Sequence, residues 1–360
     1  MRILLIGHAY PPYMGGLSNV MYNVSLRLAA MGHEVVVLSL RYGGEAPNIE
    51  LPRLRVIRVP GIAPRESYFA PTPQFIRKFV ELVREFRPDV IHMHNVGSLI
   101  IPTAIMLSMG LNVLDDVVLT PHHHEEGSRV DTRVMWTIYK PVLRRLLGRL
   151  RRVHTVSNFE KALVIRDFGV DSVVIPNGVS EDVREFSRVE LEEPIVTYAG
   201  RVEDYKRVDL AVRVIARAQG ILGVKIRFRV IGDGPAMDKV REVAKTHGIE
   251  LIHTGFLPRR DYLRELSRSS AFINLSRYEA FSIVTAEALA LGLPVVVARP
   301  WGLTFSSFGA YVVDPSDVDG AAEVLAKVIS EPSKVRAGVP TWGEVVRDYV
   351  EKLYAASSGL

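Results

Sequence analysis

Four stretches of this sequence carry candidate binding or catalytic residues, and the most specific lies in the C-terminal half. It carries Glu279, Phe281 and Glu287, and an apolar strand follows at residues 295–297. We expect a helix to begin near Ser282, so that its first backbone N–H groups are available to a phosphate. The two carboxylates can accept hydrogen bonds from the vicinal hydroxyls of a sugar. The alternative is that both glutamates are ordinary acids near a helix start, stabilised by the helix dipole.

The second stretch is a pair of cations, Arg201 and Lys206, which follow an apolar run at residues 195–199. Two cations at the end of a strand can hold a diphosphate and neutralise it as it leaves. A solvated charged loop explains the pair equally well. The third stretch, residues 232–235, begins with Gly232. Its local sequence favours a plain strand-to-helix turn over a ligand-binding one.

A glycine pair, Gly15 and Gly16, forms the fourth stretch, in the loop after the first expected strand. Glycines let backbone N–H groups approach an anion, and the N-terminus of the following helix favours negative charge. An ordinary flexible turn is the simpler interpretation of this pair alone. Residues 7–12 lack the G-x-G-x-x-G pattern, which counts against an NAD-dependent enzyme.

The densest group of potential metal ligands is the run His122, His123, His124, Glu125 and Glu126. Consecutive residues rarely point into one coordination sphere, and metal sites need spaced ligands. We therefore expect no metal site, but one functional histidine with solvated neighbours. The sequence contains no cysteine, which excludes disulfides, thiolate metal sites and cysteine catalysis.

Strand-like and helix-like segments alternate almost throughout the chain, and these residues lie at their ends. Alternation of this kind is typical of parallel sheets. We expect an α/β protein with two Rossmann-like, doubly wound parallel-sheet domains facing across a cleft, and ligands at the carboxyl ends of the strands. Apolar runs predict strands at residues 3–6, 35–38, 90–93, 117–119, 153–156, 173–175, 195–199, 226–231, 251–253, 271–275 and 295–297.

A polar, acidic segment at residues 181–193 is the best candidate for a linker. It would separate an N-terminal domain, residues 1–180, from a C-terminal domain, residues 194–335. Within the first of these, Ser157 and Glu160 have the spacing of a capping box that opens a helix.

Taken in chain order, these motifs resemble those of the family-4 retaining glycosyltransferases, which have the GT-B fold. The resemblance covers nearly the whole chain. Its most specific part is the E-x-F-x(5)-E pattern that runs from Glu279 through Phe281 to Glu287. The supporting matches are Gly15-Gly16, residues 156–157, residues 175–179, Gly200-Arg201 with Lys206, and residues 232–235.

The resemblance implies a role for each matching residue. Arg201 and Lys206 would bind the diphosphate of a nucleotide-sugar donor, Glu279 the transferred sugar and Glu287 the ribose hydroxyls. His122 matches a family histidine near the reacting centre. Further contacts to the donor are implied for Gly15, Gly16, Gly232, Phe281, Ser282, Ile283 and Val284.

The same resemblance implies that the nucleotide sugar is a substrate, with no cofactor and no catalytic metal. It also implies that residues 336–360 form a helix that returns to the N-terminal domain. One departure concerns residues 299–305, where many relatives carry two glycines and a glutamate. That departure leaves the donor sugar and the nucleobase open.

Composition adds limits on location and partners. The chain of 360 residues is 48% hydrophobic and 24% charged, and no apolar run reaches the roughly 18 residues of a membrane span. We expect a cytoplasmic protein. The net charge of +5 suits phosphate-bearing substrates or an anionic membrane, and no nucleic-acid motif is present. The basic segment 141–152 is best explained as a surface helix; the alternative is peripheral contact with anionic lipid at the inner membrane face.

The sequence therefore favours a transferase that moves a sugar from a nucleotide-diphosphate donor to an unidentified acceptor, whether lipid-linked, glycan or small molecule. A nucleotide-sugar epimerase or a phosphorylase on the same architecture is an alternative. A non-catalytic nucleotide-sugar-binding protein is another, although the intact set of Arg201, Lys206, Glu279 and Glu287 argues against loss of turnover.

Overall fold

The computed structural model describes residues 1–13, 15–41, 48–63, 69–124, 130–331 and 338–355, with residues 130–135 described by their backbone alone. The chain divides into two compact units. The first comprises Met1–Asn177 with Trp342–Leu360, and the second comprises Gly178–Thr341.

The first unit is built on an eight-stranded sheet in the order β3-β4-β2-β1-β5-β6-β7-β8. Every neighbouring pair is parallel except β3 with β4, which form a hairpin through Arg53 in the left-handed region. The strands are β1 Arg2–Ile6, β2 Glu34–Arg41, β3 Ile49–Leu51, β4 Leu54–Pro60, β5 Val90–His94, β6 Val117–Thr120, β7 Arg152–Thr155 and β8 Val173–Val174. The helices are α1 Gly16–Ala30, α2 Pro73–Glu85, α3 Ile100–Gly110, α4 Val130–Leu147 and α5 Asn158–Phe168.

The second unit is built on a six-stranded, all-parallel sheet in the order β11-β10-β9-β12-β13-β14. Its strands are β9 Ile195–Ala199, β10 Arg227–Ile231, β11 Glu250–Gly255, β12 Ala271–Asn274, β13 Val295–Ala298 and β14 Tyr311–Val313. Its helices are α6 Val208–Leu222, α7 Met237–Thr246, α8 Arg259–Ser267, α9 Ile283–Ala290 and α10 Val318–Ser330. The predicted fold class, two doubly wound parallel sheets, is confirmed.

In each unit the strand order reverses next to the first strand, because the chain winds outward from β1 and from β9 in both directions. Such a switch point leaves a crevice at the carboxyl ends of the two central strands, where ligands of open α/β sheets bind. The switch points lie between β1 and β5 in the first unit and between β9 and β12 in the second. These two places are where functional side chains are expected.

Residues 181–193, expected as a linker, lie within the second unit and carry defined structure. Glu181–Glu185 form a 3-10 helix whose Val183 is fully buried, and Val189 donates its backbone N–H to the Ser267 carbonyl. A polar composition is therefore compatible here with an ordered segment, since one apolar residue anchors it.

The C-terminal segment belongs to the first unit, and its geometry differs from the single helix expected at residues 336–360. An α-helix, α11 Trp342–Asp348, continues into the π-helix Tyr349–Tyr354. The Tyr354 hydroxyl lies 2.7 Å from Nδ1 of His92 on β5, so the segment covers a polar face of the first sheet.

Candidate active site

The switch point of the second unit brings together two of the residues singled out from the sequence. Lys206 lies in a 3-10 turn after β9, and Glu279 lies in the loop after β12. The Lys206 Nζ is 2.6 Å from Glu279 Oε1, and the two side chains are only 14% and 13% exposed. The backbone N–H of Arg277 donates to the Tyr205 carbonyl, which ties the two loops together.

The environment keeps the Lys206 ammonium charged. Burial lowers the pKa of Lys206, but the attraction of Glu279 and of the Tyr205 and Tyr198 hydroxyls outweighs it, so the pKa is raised above its usual value. A desolvated, permanently charged cation paired with a carboxylate is the kind of group that stabilises charge developing on a bound anion.

Arg201 lies on the same loop with an exposed side chain, and its carbonyl accepts from the Tyr198 hydroxyl. This loop packs directly against the turn at residues 232–235. A Cβ at Gly232 would stand 2.1 Å from the Gly200 carbonyl oxygen, and one at Gly234 would stand 2.3 Å from that of Val202. The two glycines are therefore required by the close approach of the β9 and β10 loops, which fixes the position of Arg201.

The loop from β12 to α9 is held by Asn274. Its side-chain amide donates to Ser282 Oγ at 3.1 Å, and its carbonyl oxygen accepts from the hydroxyl and backbone N–H of Ser276. Ser282 is the N-cap of α9 and accepts from the Thr285 N–H, so the predicted helix start is confirmed and its hydroxyl is already engaged. Of the adjoining residues expected to contact a donor, Phe281, Ile283 and Val284 are half-buried.

The segment in which this chain departs from many relatives is a 3-10 helix, Trp301–Phe308. Its Trp301 indole donates to the Ser276 carbonyl at 2.7 Å, and Phe305 packs with its ring 4.9 Å from that of Phe281. An aromatic cluster thus supports the loop that carries Glu279.

Glu287 lies on α9 and is only 3% exposed, so it is not a solvated acid near a helix start. Its Oε1 accepts from Arg259 Nη1 at 2.5 Å and its Oε2 from the Tyr262 hydroxyl at 2.7 Å. Arg259 also pairs with Asp182, with Nε and Nη2 each 2.9 Å from a carboxylate oxygen. Burial raises the pKa of Glu287, and the pair with Arg259 offsets only part of that effect.

Sequence reasoning missed Arg259, Tyr262 and Asp182, because they come from segments without a recognisable motif. One signal was available. Arg259 is the first residue of a helix, and the helix dipole disfavours a cation at that end. Its position there indicates that nearby carboxylates hold it.

In the first unit, Gly15 and Gly16 lie where α1 begins, in the loop after β1. Gly15 is in extended conformation, and within the described chain a Cβ at Gly16 would meet nothing within 4 Å. The helix has no side-chain cap, and the buried Ser18 hydroxyl has no hydrogen-bond partner among the described residues. The fold itself does not require this glycine pair, whereas a ligand that approaches the helix N-terminus would.

His122 follows β6 and lies beside the switch point of the first unit. Its Nε2 is 3.2 Å from Nδ1 of His94, the last residue of β5, and its φ of 48° lies in the left-handed region. Burial, followed by the neighbouring His154 and His8, lowers the pKa of His122 to about 3, so its imidazole is neutral near pH 7. A neutral imidazole can donate or accept a hydrogen bond at a reacting group.

The expectation that the neighbours of His122 are solvated is wrong for His123. That side chain is 2% exposed and its Nε2 lies 2.7 Å from Asp167 Oδ2, whereas His124 is exposed. The backbone N–H of His123 donates to the buried carboxylate of Glu160 at 2.6 Å. The three histidines thus point to different surroundings. Glu125 and Glu126 lie outside the described residues.

Within the ranges that the structure describes, no three histidine, aspartate or glutamate side chains come together as a set of metal ligands. Over the same ranges, no helix is long and apolar enough to cross a membrane.

The basic segment 141–152 forms the end of α4 and the turn that leads into β7. As expected for a surface helix, Leu143 and Leu147 are buried. Four arginines are exposed, Arg144, Arg145, Arg149 and Arg151, whereas Arg152 is half-buried and donates to the Leu353 carbonyl.

Comparison with known proteins gives two matches to protein-family models. Residues 14–183 match the model described as Glycosyltransferase Family 4, and residues 179–338 match Glycosyl transferases group 1. The two matches together run through almost the whole chain. The chain is a group 1 glycosyltransferase of the family-4 type.

Relatives of this glycosyltransferase have varied activities. It is 29% identical to a glycogen synthase of Mycobacterium tuberculosis, over 92% of this chain and 87% of that protein. It is also 29% identical to the 2-deoxystreptamine N-acetyl-D-glucosaminyltransferase of Streptomyces fradiae, over 81% of this chain and 76% of that protein. Among solved structures, sucrose-phosphate synthase of Thermosynechococcus elongatus shares its fold, with a TM-score of 0.74 and 20% identity over 99% of this chain and 96% of that one.

Proposed function

We propose that this glycosyltransferase moves a sugar from a nucleoside-diphosphate sugar to an acceptor with retention of the anomeric configuration, and that its second unit binds the donor. The observation that carries the proposal is the buried pair of Lys206 and Glu279 at the β9–β12 switch point. A cation and a carboxylate side by side match the two parts of such a donor, an anionic diphosphate and a hydroxylated sugar.

The reacting bond joins the anomeric carbon of the sugar to the diphosphate. As that bond breaks, positive charge grows on the sugar and negative charge on the leaving oxygen. Lys206, with Arg201 on the same loop, stabilises the departing diphosphate more strongly than the bound donor, which is what lowers a barrier. Glu279 accepts from hydroxyls of the transferred sugar, and the backbone from Phe281 to Val284 contacts sugar and phosphate. The cations take the place that a metal fills in other transferases, so no cofactor or metal is needed.

We assign Glu287 to the ribose and the acceptor to the first unit. Ribose does not change during the reaction, so Glu287 supplies binding that is equal in the ground and transition states. In the first unit, the neutral His122 and the Gly15-Gly16 helix start are the groups suited to contact the reacting substrates.

The test is stereochemical. The full chain is incubated with a panel of α-linked nucleotide sugars without acceptor, and slow donor hydrolysis is followed by proton NMR at early times, before the free sugar equilibrates. We expect one donor to release its nucleoside diphosphate together with the α-sugar. Release of the β-sugar contradicts retention, and hydrolysis of no nucleotide sugar contradicts the proposed donor class.

A further inference from the structure

Glu287 is held by partners that the donor-binding role alone does not require. Each of its two carboxylate oxygens already accepts one hydrogen bond, from Arg259 and from Tyr262. An ionised carboxylate offers about four lone-pair sites in all. About two sites therefore remain, one on each oxygen, and a vicinal diol presents two hydroxyls.

The placement of Arg259 is unfavourable for the helix that carries it. Arg259 is the first residue of α8, and Tyr262 follows one turn later on the same face. The positive end of the helix dipole repels a cation at this position. Two carboxylates, Asp182 and Glu287, outweigh that repulsion and raise the pKa of Arg259 despite its partial burial, so the guanidinium stays charged.

Asp182 fixes Arg259 from the other side. Its two oxygens each lie 2.9 Å from a guanidinium nitrogen, in the planar fork geometry that arginine and carboxylate form together. Asp182 stands next to the buried Val183 in the 3-10 helix Glu181–Glu185, which contacts α9. The chain of contacts from Asp182 to Glu287 therefore begins in an anchored segment.

We propose that Arg259 and Tyr262, with Asp182 behind them, are positioning residues that orient the Glu287 carboxylate so that its free lone pairs meet the two hydroxyls of the donor's ribose. The inference rests on the proposed function, since it needs a nucleoside at Glu287. It predicts that these residues set the preference for ribose over deoxyribose without contacting the reacting bond.

The experiment measures binding by calorimetry on the full chain. The ligands are the nucleoside diphosphate that binds the wild type best among UDP, GDP and ADP, its 2′-deoxy form, and inorganic pyrophosphate, which has no ribose. The variants are Tyr262→Phe, Arg259→Gln, Asp182→Asn and Glu287→Gln. Arg260→Gln is the matched control, because Arg260 is the next residue of the same helix and is exposed.

We expect Tyr262→Phe to weaken binding of the nucleoside diphosphate roughly threefold to tenfold, the usual effect of losing one hydrogen bond. Arg259→Gln should weaken it by about tenfold or more, because the lost bond is charge-assisted. Both substitutions should make the affinities for the ribo and deoxy forms similar, while the affinity for pyrophosphate stays within about twofold of that of the wild type. When combined with Glu287→Gln, neither should weaken binding further.

The outcomes separate the two proposals. If the wild type binds the nucleotide and both variants keep the wild-type preference for ribose, the positioning role is overturned while the proposed function stands. If Arg259→Gln does not fold, Tyr262→Phe decides alone, since it removes a single hydroxyl and keeps the ring. If the wild type binds no nucleoside diphosphate, the proposed function fails, and this inference with it.

Discussion

Replacing Lys206 by methionine removes the buried cation at the β9–β12 switch point and keeps most of the side-chain volume. The substitution should lower both the free energy of unfolding and kcat, and the structure indicates the size of each effect. Because both Lys206 and Glu279 are largely buried, the variant leaves a carboxylate without its partner. Breaking a buried pair from one side costs about 3–5 kcal/mol of the free energy of unfolding.

The catalytic effect should be of similar size but is distinct in kind. Loss of a fixed group that stabilises transition-state charge lowers kcat by about 10²–10³, equivalent to about 2.7–4 kcal/mol. The double variant Lys206→Met/Glu279→Gln removes both charges, so it should recover much of the lost stability. Its kcat should nevertheless stay about 10²–10³ below that of Glu279→Gln alone, because the diphosphate still lacks its cation.

The assay combines steady-state kinetics at saturating donor with urea unfolding of the same preparations. Lys225→Met is the matched control, because Lys225 pairs with Glu250 at 2.6 Å and the two side chains are 62% and 44% exposed. We expect this control to change both quantities little, as exposed pairs contribute at most about 1 kcal/mol. If the double variant turns over as fast as Glu279→Gln, Lys206 acts only by neutralising Glu279, and its assignment to the diphosphate is refuted.

Four further outcomes are expected. Glu287→Ala should raise the donor KM about tenfold to a hundredfold with a smaller change in kcat, as loss of a charge-assisted hydrogen bond implies; a variant that mainly loses kcat would show that its role is misassigned. Burial lowers the pKa of His154 to about 4, so the unfolded chain takes up a proton as the pH falls below about 6.5 while the native one does not. Acidification from pH 6.5 towards 4 should therefore destabilise the protein. His154→Gln should be less stable at pH 7, but its free energy of unfolding should fall less steeply with decreasing pH, by about 1.4 kcal/mol per pH unit. An unchanged pH dependence of the free energy of unfolding contradicts this. Turnover should persist in excess chelator, and a complete loss that added metal restores would contradict metal independence. Anionic liposomes should float the wild type more than a variant with Arg144, Arg145, Arg149, Arg151 and Arg152 changed to glutamine, and equal flotation would contradict membrane contact.

The fold was largely predictable, because buried parallel strands are continuous apolar runs. Every strand predicted from such a run is present, and the bounds agree within two residues except at β2, which continues three residues further, to Arg41. Strand β4 was missed because arginines interrupt its apolar residues, and Arg58 among them is nevertheless buried. The alternation of polar and apolar residues predicts that the arginines of β4 face solvent, whereas the structure places the Arg58 guanidinium over the Tyr10 ring.

Local motifs predicted the local backbone structure better than they predicted which distant residues each side chain contacts. The capping box predicted at Ser157 marks a real helix start, because the Ser157 hydroxyl accepts from the Glu160 N–H as expected. The Glu160 carboxylate also accepts from the backbone N–H groups of Val156 and His123, and burial raises its pKa to about 7. The spacing of two residues fixes a cap, but a partner 37 positions away in the chain depends on the tertiary fold.

The candidate site shows the same limit. The motif located Glu279 and Glu287 on the loop and helix after β12, and the switch point explains why Lys206 lies beside Glu279. Nothing in the motif indicated that Arg259 and Asp182 would hold Glu287. Those residues come from separate segments, and only the packing of α8 against the buried carboxylate brings them there.

The proposed donor site requires that a nucleoside diphosphate binds to the second unit through Lys206 and Glu287. The melting temperature of the full chain should be measured with UDP, GDP, ADP and their sugar derivatives, alongside Lys206→Met and Glu287→Gln. Ligand present at about a hundred times its Kd stabilises the native state by about 2.7 kcal/mol, which for a chain of this size is a shift of a few degrees. We expect such a shift for at least one nucleotide and its loss in both variants. No shift with any nucleotide, or an equal shift in both variants, would contradict it.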